Sequence, residues 1–595
     1  MIEKEINLEK GQRLSDVMDE MKPNTILYKT VCGIGATTLE LETERNSIII
    51  EPNVPVIKGK EHKYPSMLGV YEGVSTQDIE DYIKGGNEHK KIMTTPESFP
   101  KIKRAMVNAE TSMYQTYFLL YDECDRLVSD VNYRSTVTLP TKDFFKFRGK
   151  AMVSATPILP SDPRFADAGF EIDRIVPTYD YRQDIEIIQT NNVKTVLTMT
   201  LKGLDNADRV CVFYNSTAGI ENIITGTGIQ DDSFVYCSTE SMEKLKSHGF
   251  ENVSDTLTVT GGYAQLGRYN FFTSRFYSAV DIELEDKPVV IMLTELYSAP
   301  HTMIDPETEA IQIAGRFRNG YKRLVHITNY DRNLEYMTKE ELEKYLDSQY
   351  EAFMRIHGLY METGDEGATD LYRQALKTVD YSRFMTREYL RDFFMLDNAF
   401  REELIKSHYQ KRCDIKGAYE STQAFRVSYR YVKAGVSDND MSQLDRPVSK
   451  EAINRLVFKY IQKLVKGRNR YDRELLKEIG DSYRLVMEAY DLLGEKKILE
   501  TGFKDTDLKS AVEAKKTSNL ERSAGVVAAV HNAFTEGQWY SVADIKTKLA
   551  EIYTTFKIPY NRRGMADKIS IYYDVEKREH RKKRGYLLKS KITAQ

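Results

Sequence analysis

Between Asn24 and about Asn329 the chain repeats one pattern: short runs of β-branched and aromatic residues, apolar at nearly every position, separated by polar, helix-compatible stretches. A strand with one wet face alternates apolar and polar residues. A run without alternation is buried on both faces, as in a parallel sheet covered by helices. The runs Thr25–Tyr28, Ser47–Ile50, Lys91–Thr94, Tyr117–Tyr121 and Ala151–Ser154 therefore predict one α/β domain. Val210–Tyr214, Phe234–Cys237, Val289–Leu293 and Leu324–Ile327 predict a second, the two meeting near residue 180.

A chain of 595 residues has room for about three or four domains. After Asp331 the periodicity becomes helical: Thr338 and Glu341 form a capping box, and Leu342, Tyr345, Leu346, Tyr350 and Phe353 recur at helix spacing. This gives expected boundaries at 1–180, 181–335, 336–515 and 516–595. The aromatics of Tyr381–Phe400 are expected to be core. The five cysteines are scattered and form no CxxC or CxxH spacing with the nine histidines, which argues against a disulfide framework or a zinc site. The charged N-terminus and the lack of any run near 18 apolar residues argue against secretion and membrane spanning, so the expected compartment is the cytoplasm.

The net charge of −4 gives the whole chain no bulk attraction for nucleic acid, but the distribution is uneven. From Lys557 to Lys591 there are twelve Lys or Arg against four acids, a local excess of +8 that leaves −12 for the rest. Within the longer segment Glu521–Lys591, a helical stretch at Val526–Phe534 and a helix capped by Ser541 and Asp544 are followed by Arg562–Ile569. Two strand-like pieces, Ile571–Val575 and Tyr586–Leu588, flank the basic run Lys577–Arg584. Three helices and a hairpin are the winged-helix order. Arg562, Arg563 and Lys568 fall on the expected recognition helix and Arg581, Lys582, Lys583 and Arg584 on the wing, where they would meet a phosphate backbone. Tyr572, Tyr573 and Tyr586 are expected to pack the wing.

Two elements carry chemistry. Thr25–Tyr28 runs into Cys32, Gly33, Ile34, Gly35, Ala36, Thr37 and Thr38, then into a helical start, the strand, glycine turn and helix that cradle phosphate. A phosphate loop of this kind reads GxGK[ST]; here Ala36 occupies the lysine position, while Thr37 keeps a hydroxyl for Mg²⁺. The second element is the apolar run Phe118–Tyr121 ending in Asp122, Glu123, Cys124 and Asp125, which places carboxylates at the strand end facing a nucleotide crevice. Asp122 suits Mg²⁺ through its water shell, and Glu123 suits the attacking water.

The order of further motifs resembles that of superfamily 2 DExD/H-box helicases over roughly residues 24 to 330. Ser47–Val54 resembles motif Ia, Thr94–Ser98 the TPxx motif with Thr95, Asp122–Asp125 motif II, and Ser154–Pro157 the SAT motif. Val210–Ser216 resembles motif IV and Thr273–Asp281 motif V, with Ala279 in place of a glycine. Gln312–Arg318 reads as the QxxGRxR form of motif VI. The resemblance implies tandem RecA-like domains of parallel sheets, followed here by the helical region and the winged helix. It implies ATP and Mg²⁺ as cofactors, held by Lys29, Gly33 to Thr38 and Asp281, with Thr37 and Asp122 on the metal. It further implies Asp122, Glu123, Gln312, Arg316 and Arg318 as the catalytic set, Ser154 and Thr156 as coupling residues, and Thr95 and Thr273 on nucleic acid.

Arg316 and Arg318 suit a γ-phosphate because a guanidinium is planar, permanently charged and bidentate, and such a finger contributes roughly 10³ to 10⁵ in rate. Losing the loop lysine is expected to leave nucleotide binding possible, through the backbone cradle and Mg²⁺, and to slow turnover by about two decades or more. Lys29, at the front of the loop, is the first substitute cation, with Lys58 and Lys60 next. The expected activity is an ATP-dependent helicase or translocase, acting on DNA in preference to RNA, with replication proteins as candidate partners. The context implied by similarity to viral origin-binding helicases is phage or mobile-element replication in a bacterial host cytosol. The competing expectation is a catalytically weakened, nucleotide-binding DNA scaffold or switch. A weaker one is the motor part of a restriction or packaging system.

Overall fold

The computed structural model describes residues 1–260, 263–278, 281–444, 446, 449–467 and 469–592. The chain divides into two compact units, Met1–Lys433 and Ala434–Gln595.

The first unit holds two eight-stranded sheets, all parallel. Strands β1 (Glu3–Leu8), β2 (Thr25–Tyr28), β3 (Ser47–Ile50), β4 (Leu68–Val70), β5 (Lys91–Thr94), β6 (Phe118–Asp122), β7 (Gly149–Ser154) and β8 (Glu171–Pro177) form the first sheet. Their spatial order is β1-β8-β2-β7-β6-β3-β5-β4. The lack of alternation has the structural cause inferred from sequence. Ile26, Ile48, Ile50 and Leu119 pack on one face while Leu27, Ile49 and Leu120 pack on the other, all nearly solvent-free. Because the strands are parallel, every loop after a strand emerges at one edge of the sheet. With β2, β7 and β6 adjacent, the glycine loop, Ser154–Pro157 and Asp122–Asp125 meet there.

The second sheet contains β9 (Gln183–Thr190), β10 (Val210–Phe213), β11 (Ser233–Tyr236) and β12 (Val253–Ser254). A separate hairpin of β13 (Val259–Thr260) and β14 (Tyr263–Ala264) precedes β15 (Tyr269–Phe272), β16 (Val289–Thr294), β17 (Arg323–Thr328) and β18 (Phe425–Val432). The order is β12-β11-β15-β10-β16-β17-β9-β18. The two sheets are tandem RecA-like domains.

Residues 336–515, expected to be mostly helical, also contain β18, which returns to pair with β9 over its whole length. Its sequence, FRVSYRYV, alternates and places arginines outward, so it lacks the signature of a strand buried on both faces. Before it, the helix Lys339–Glu362 starts at the Thr338/Glu341 capping box. The helix Phe393–Ser407 bridges the two domains. Its Asn398 Nδ2 donates to the Val128 carbonyl at 3.0 Å and its Asp397 accepts the Ser161 N–H at 3.0 Å. On the other side its Arg401 grips Asp305 at 2.6 Å and Glu307 at 2.6 Å.

The second unit begins with helices around Val457, Ile461, Leu475, Val486 and Leu508. It ends in a small winged-helix element: helices Ala524–Ala533 and Val542–Thr555, a 3₁₀ helix Met565–Ile571, and an antiparallel sheet of β19 (Trp539–Ser541), β20 (Tyr573–His580) and β21 (Lys583–Lys591) in the order β19-β21-β20. Tyr572, Tyr573 and Tyr586 are buried in its core. Among the described residues no helix is long and apolar enough to cross a membrane.

Candidate nucleotide site and nucleic-acid interface

The loop after β2 turns on two glycines in the left-handed region, Gly33 at φ +78° and Gly35 at φ +95°, and Ala36 begins the following helix, Ala36–Glu42. Gly33 serves a second purpose. A Cβ there would lie 2.4 Å from Arg318 Nη1, so the loop and the arginine of the second domain approach as closely as a bare backbone permits. Gly315 makes the reciprocal approach, where a Cβ would lie 2.6 Å from Cys32 Sγ. Ile34 is buried, and its carbonyl accepts the Leu14 N–H at 2.9 Å.

Around this loop the charged residues form one network. Thr37 Oγ1 donates to Asp122 Oδ2 at 2.5 Å. Lys29 Nζ, buried, stands 3.7 Å from Asp122 Oδ1 and 3.7 Å from Glu123 Oε1. Burial opposes charge on this lysine, but Glu123 and Asp122 outweigh it and raise its pKa. Glu123 is reciprocally affected: burial would raise its pKa, yet Lys29 first, then Arg316 and Gln312, hold it below the usual carboxylate value. Its backbone takes the left-handed region at φ +48°, a conformation that costs a non-glycine residue about 1 kcal/mol or more. Asp125, also buried, is pushed up to about 6 by burial and by Glu123.

Gln312 joins the domains chemically. Its Nε2 donates to Glu123 Oε2 at 3.2 Å and to Thr156 Oγ1 at 3.2 Å, and its Oε1 accepts from Arg316 Nη2 at 2.7 Å. Ser154 Oγ donates to Asp125 Oδ1 at 2.6 Å and accepts the Thr156 N–H at 3.1 Å. A displacement of Gln312 would therefore be felt through Thr156 and Ser154 at the acidic cluster. Arg318 Nη2 pairs with Asp281 Oδ1 at 2.6 Å, and Arg316 Nη1 lies 3.8 Å from the same oxygen. Ala279 lies outside the described residues, so its part in motif V stays a sequence reading.

Sequence reasoning did not single out two residues that the structure brings to this site, and it ranked a third behind Lys29. Glu51, buried at the end of β3, accepts the Asn53 N–H at 3.0 Å, and burial, then Asp122 and Glu123, raise its pKa well above normal. Arg126 pairs with Asp130 at 2.8 Å and donates to Ser278 Oγ of the second domain. Lys60, named only as a reserve cation, reaches the site from the helix Val54–Lys63, its Nζ donating to Thr38 Oγ1 at 3.0 Å. Lys58 does not reach it, lying over the Tyr71 ring at 5.2 Å. No sequence spacing announces Glu51, Arg126 or Lys60, because each is placed by packing between elements.

The donor set fits a nucleotide with a divalent ion. Among the described residues no three His, Cys, Asp or Glu side chains cluster as a self-sufficient metal cage. Magnesium is commonly bound by one or two carboxylates together with phosphate and water, and Thr37 with Asp122 offers that partial shell.

A second cleft, of about 740 Å³, opens between the domains. Asn53 and Arg134 line it from the first domain, and Ser216, Ser238, Thr273 and Arg275 from the second. Asn53, Ser216 and Ser238 are the N-caps of helices, so three helix starts face one groove. Thr95 does not line this groove. It is 5% exposed, with its N–H donating to the Val70 carbonyl at 3.2 Å.

In the winged-helix element the expected helix Arg562–Ile569 starts later, at Met565, after Gly564 at φ +79°. Arg562 and Arg563 fall in the turn before it, and Lys568 is committed to Glu521 Oε1 at 3.0 Å. The basic run Lys577–Arg584 does not separate the two strands but lies within the hairpin. Its tip is Arg581 and Lys582, at φ +50° and +62°, the tight turn that suits the twist of paired strands. Arg581, Lys582, Lys583 and Arg584 have no ion-pair partner among the described residues, whereas Lys577, Arg578 and Lys589 pair with Asp567 or Glu576.

No known protein-family profile matches the chain, and no curated protein matches it by sequence. Several solved structures resemble parts of it. Saccharomyces cerevisiae Dbp5 bound to RNA and ADP BeF3 is 12% identical, covering 52% of this chain and 79% of its own, with a TM-score of 0.34. The Pyrococcus furiosus Hef helicase domain is 11% identical, covering 52% and 92%, with a TM-score of 0.29. A nuclease-deletion mutant of the Type ISP restriction-modification enzyme LlaGI, in complex with a DNA substrate mimic, is 9% identical and covers 92% of this chain and 39% of its own, with a TM-score of 0.31.

Proposed function

We propose that the protein is an ATP-driven DNA helicase or translocase of superfamily 2 type. The single observation that carries this reading is the convergence on one glycine loop of Thr37, Asp122, Glu123 and Lys29 from the first domain with Gln312, Arg316 and Arg318 from the second. An ATP phosphate chain in that loop would lie between the two domains, and Mg²⁺ bound with it would neutralise part of its charge. Glu123, kept ionised by Lys29, is the group able to orient and deprotonate a water. Arg316 and Arg318 are placed to take the charge that develops on the terminal phosphate.

Gln312 supplies the link to movement, since it touches Glu123, Thr156 and Arg316 at once. A change in phosphate state would alter how the second domain is held against the first, and with it the groove lined by Asn53, Ser216, Ser238 and Thr273. That groove presents hydroxyls and helix starts to a sugar-phosphate backbone, which favours binding without base preference. The unpaired wing cations add duplex affinity. The GRxR form of motif VI and the appended winged helix make replication of phage or mobile-element DNA, in a bacterial cytosol and with replication proteins as partners, the setting we propose. Ala36 favours the second reading, a slow or inactive nucleotide switch on DNA.

The test is steady-state ATP turnover with and without single-stranded and duplex DNA, with Glu123→Gln as control. DNA-stimulated turnover that the control loses by about two decades or more establishes the motor. Tight nucleotide binding with no turnover in either protein establishes the switch, and no nucleotide binding rejects both.

A further inference from the structure

With Ala36 in the loop, positive charge for a triphosphate has to come from elsewhere. Five cationic side chains reach the site, and four are already engaged. Lys29 lies 3.7 Å from both Asp122 and Glu123, Arg126 is 2.8 Å from Asp130, Arg318 is 2.6 Å from Asp281, and Arg316 is bound to Gln312 at 2.7 Å. Lys60 differs. Its ammonium donates to a neutral hydroxyl, Thr38 Oγ1, at 3.0 Å, and it forms no ion pair among the described residues. It is half-buried, and burial lowers its pKa, against Asp122 and, more weakly, Asp281 and Glu51, with Lys63 adding to the lowering.

The placement is built by helix packing. The helix Val54–Lys63 runs beside Ala36–Glu42, with Lys60 against Thr38 and, one turn further on, Tyr64 Oη donating to Glu42 Oε1 at 2.8 Å. Its neighbouring lysines point elsewhere, Lys58 over the Tyr71 ring and Lys63 over the Tyr64 ring at 5.4 Å. A partly dehydrated ammonium with no ion-pair partner among the described residues is the group that gains most when an anion arrives.

We infer that Lys60 is the phosphate-gripping cation of this site, acting from a neighbouring helix in place of the lysine that Ala36 displaces, while Lys29 holds Asp122 and Glu123 in place. This inference rests on the nucleotide reading above. The assay is direct binding of ATP and, separately, of inorganic tripolyphosphate to the full chain by calorimetry, for the wild type, Lys60→Ala, Lys60→Arg, Lys58→Ala and Lys60→Ala/Ala36→Lys. Lys60→Ala is expected to weaken both ligands about ten- to a hundredfold, the range for a lost charge-assisted hydrogen bond. Lys60→Arg and the double variant should recover most of that loss, and Lys58→Ala should bind as the wild type does.

Equal affinity of Lys60→Ala and wild type for tripolyphosphate overturns the inference while leaving nucleotide binding standing. So does weakened ATP binding that the arginine and double variants do not recover, because Lys60 would then only be packing two helices together. If the wild type binds neither ligand, the nucleotide reading itself fails. Melting temperatures without ligand, expected within a few degrees of one another, separate misfolding from lost grip.

Discussion

Single atoms set the approach of the two RecA-like domains. Gly315 sits in the motif VI helix, where a Cβ would lie 2.6 Å from Cys32 Sγ and 2.7 Å from Cys32 Cβ. Sγ could swing away about χ1, but Cβ is fixed to the backbone, so the strain cannot be relieved by a rotamer change alone. Gly315→Ala is expected to lower stability by about 1 to 3 kcal/mol, the usual cost of overpacking. Removing the opposing side chain with Cys32→Gly in the same chain should recover most of it. Thermal unfolding of both single variants and the double variant gives the coupling directly. Additive losses would mean that the helix and the loop are not in contact in solution. The same closeness explains what a sequence reading of motif VI leaves out: QxxGRxR announces two arginines, but only the packing shows that its glycine admits Cys32 and that its glutamine touches Glu123 and Thr156.

Among the elements, the helix Phe393–Ser407 decides how firmly the domains are joined. Asp397 accepts the Ser161 N–H and is buried, which pushes its pKa up to about 6, with Asp162 and Asp392 adding to the rise. The sign follows from proton linkage: between the ordinary value near 3.8 and about 6 the folded state binds more protons than the unfolded one, so stability falls as pH rises through that window. Asparagine can accept the same hydrogen bond without ionising. The stability advantage of Asp397→Asn is therefore expected to be smallest at pH 4 and to grow by up to about 3 kcal/mol by pH 7. Melting temperatures at several pH values read this out, and a difference that does not change with pH would place the ionisation elsewhere.

The strands show how far local pattern reaches. β2, β3 and β5 fall at the boundaries read from sequence because each has an apolar centre buried on both faces and is followed by a polar residue, Lys29, Glu51 or Thr95. The edge strand β1 opens on three exposed charged residues, Glu3, Lys4 and Glu5, and the edge strand β18 alternates and pairs with a strand more than two hundred residues earlier, a partnership no local window contains. Lys29, Asp122 and Glu123 were legible as candidates for the same local reason, at or just past the ends of strands with strong signatures, and Thr37 by its place at the helix start after the glycine loop. Lys60 and Glu51 belong to the site only through the packing of helices and strands against one another.

At the scale of the molecule, the division at Lys433 and Ala434 gives two bodies with different chemistry, the residues of the candidate nucleotide site all in the first and the wing cations, without ion-pair partners among the described residues, in the second. The single tryptophan of the chain, Trp539, lies in the second, packed 5.4 Å from His580 with its Nε1 donating to the Arg578 carbonyl at 3.2 Å, at the base of the wing. Tryptophan fluorescence therefore follows the second unit alone, while far-ultraviolet circular dichroism follows the whole chain. If the units unfold independently, urea titrations by the two probes will have different midpoints, whereas coincident curves would mean that the chain unfolds as one cooperative body. On the function proposed, a DNA ligand held by the wing would raise the fluorescence midpoint through mass action on the folded state. Replacing Arg581, Lys582, Lys583 and Arg584 with alanine is expected to abolish that rise and to reduce the slope of log affinity against log salt by as much as about 3 to 4, close to one unit per lost phosphate contact. A winged helix that binds protein instead would show no DNA-induced shift in either form, because a ligand shifts the midpoint only by binding the folded state.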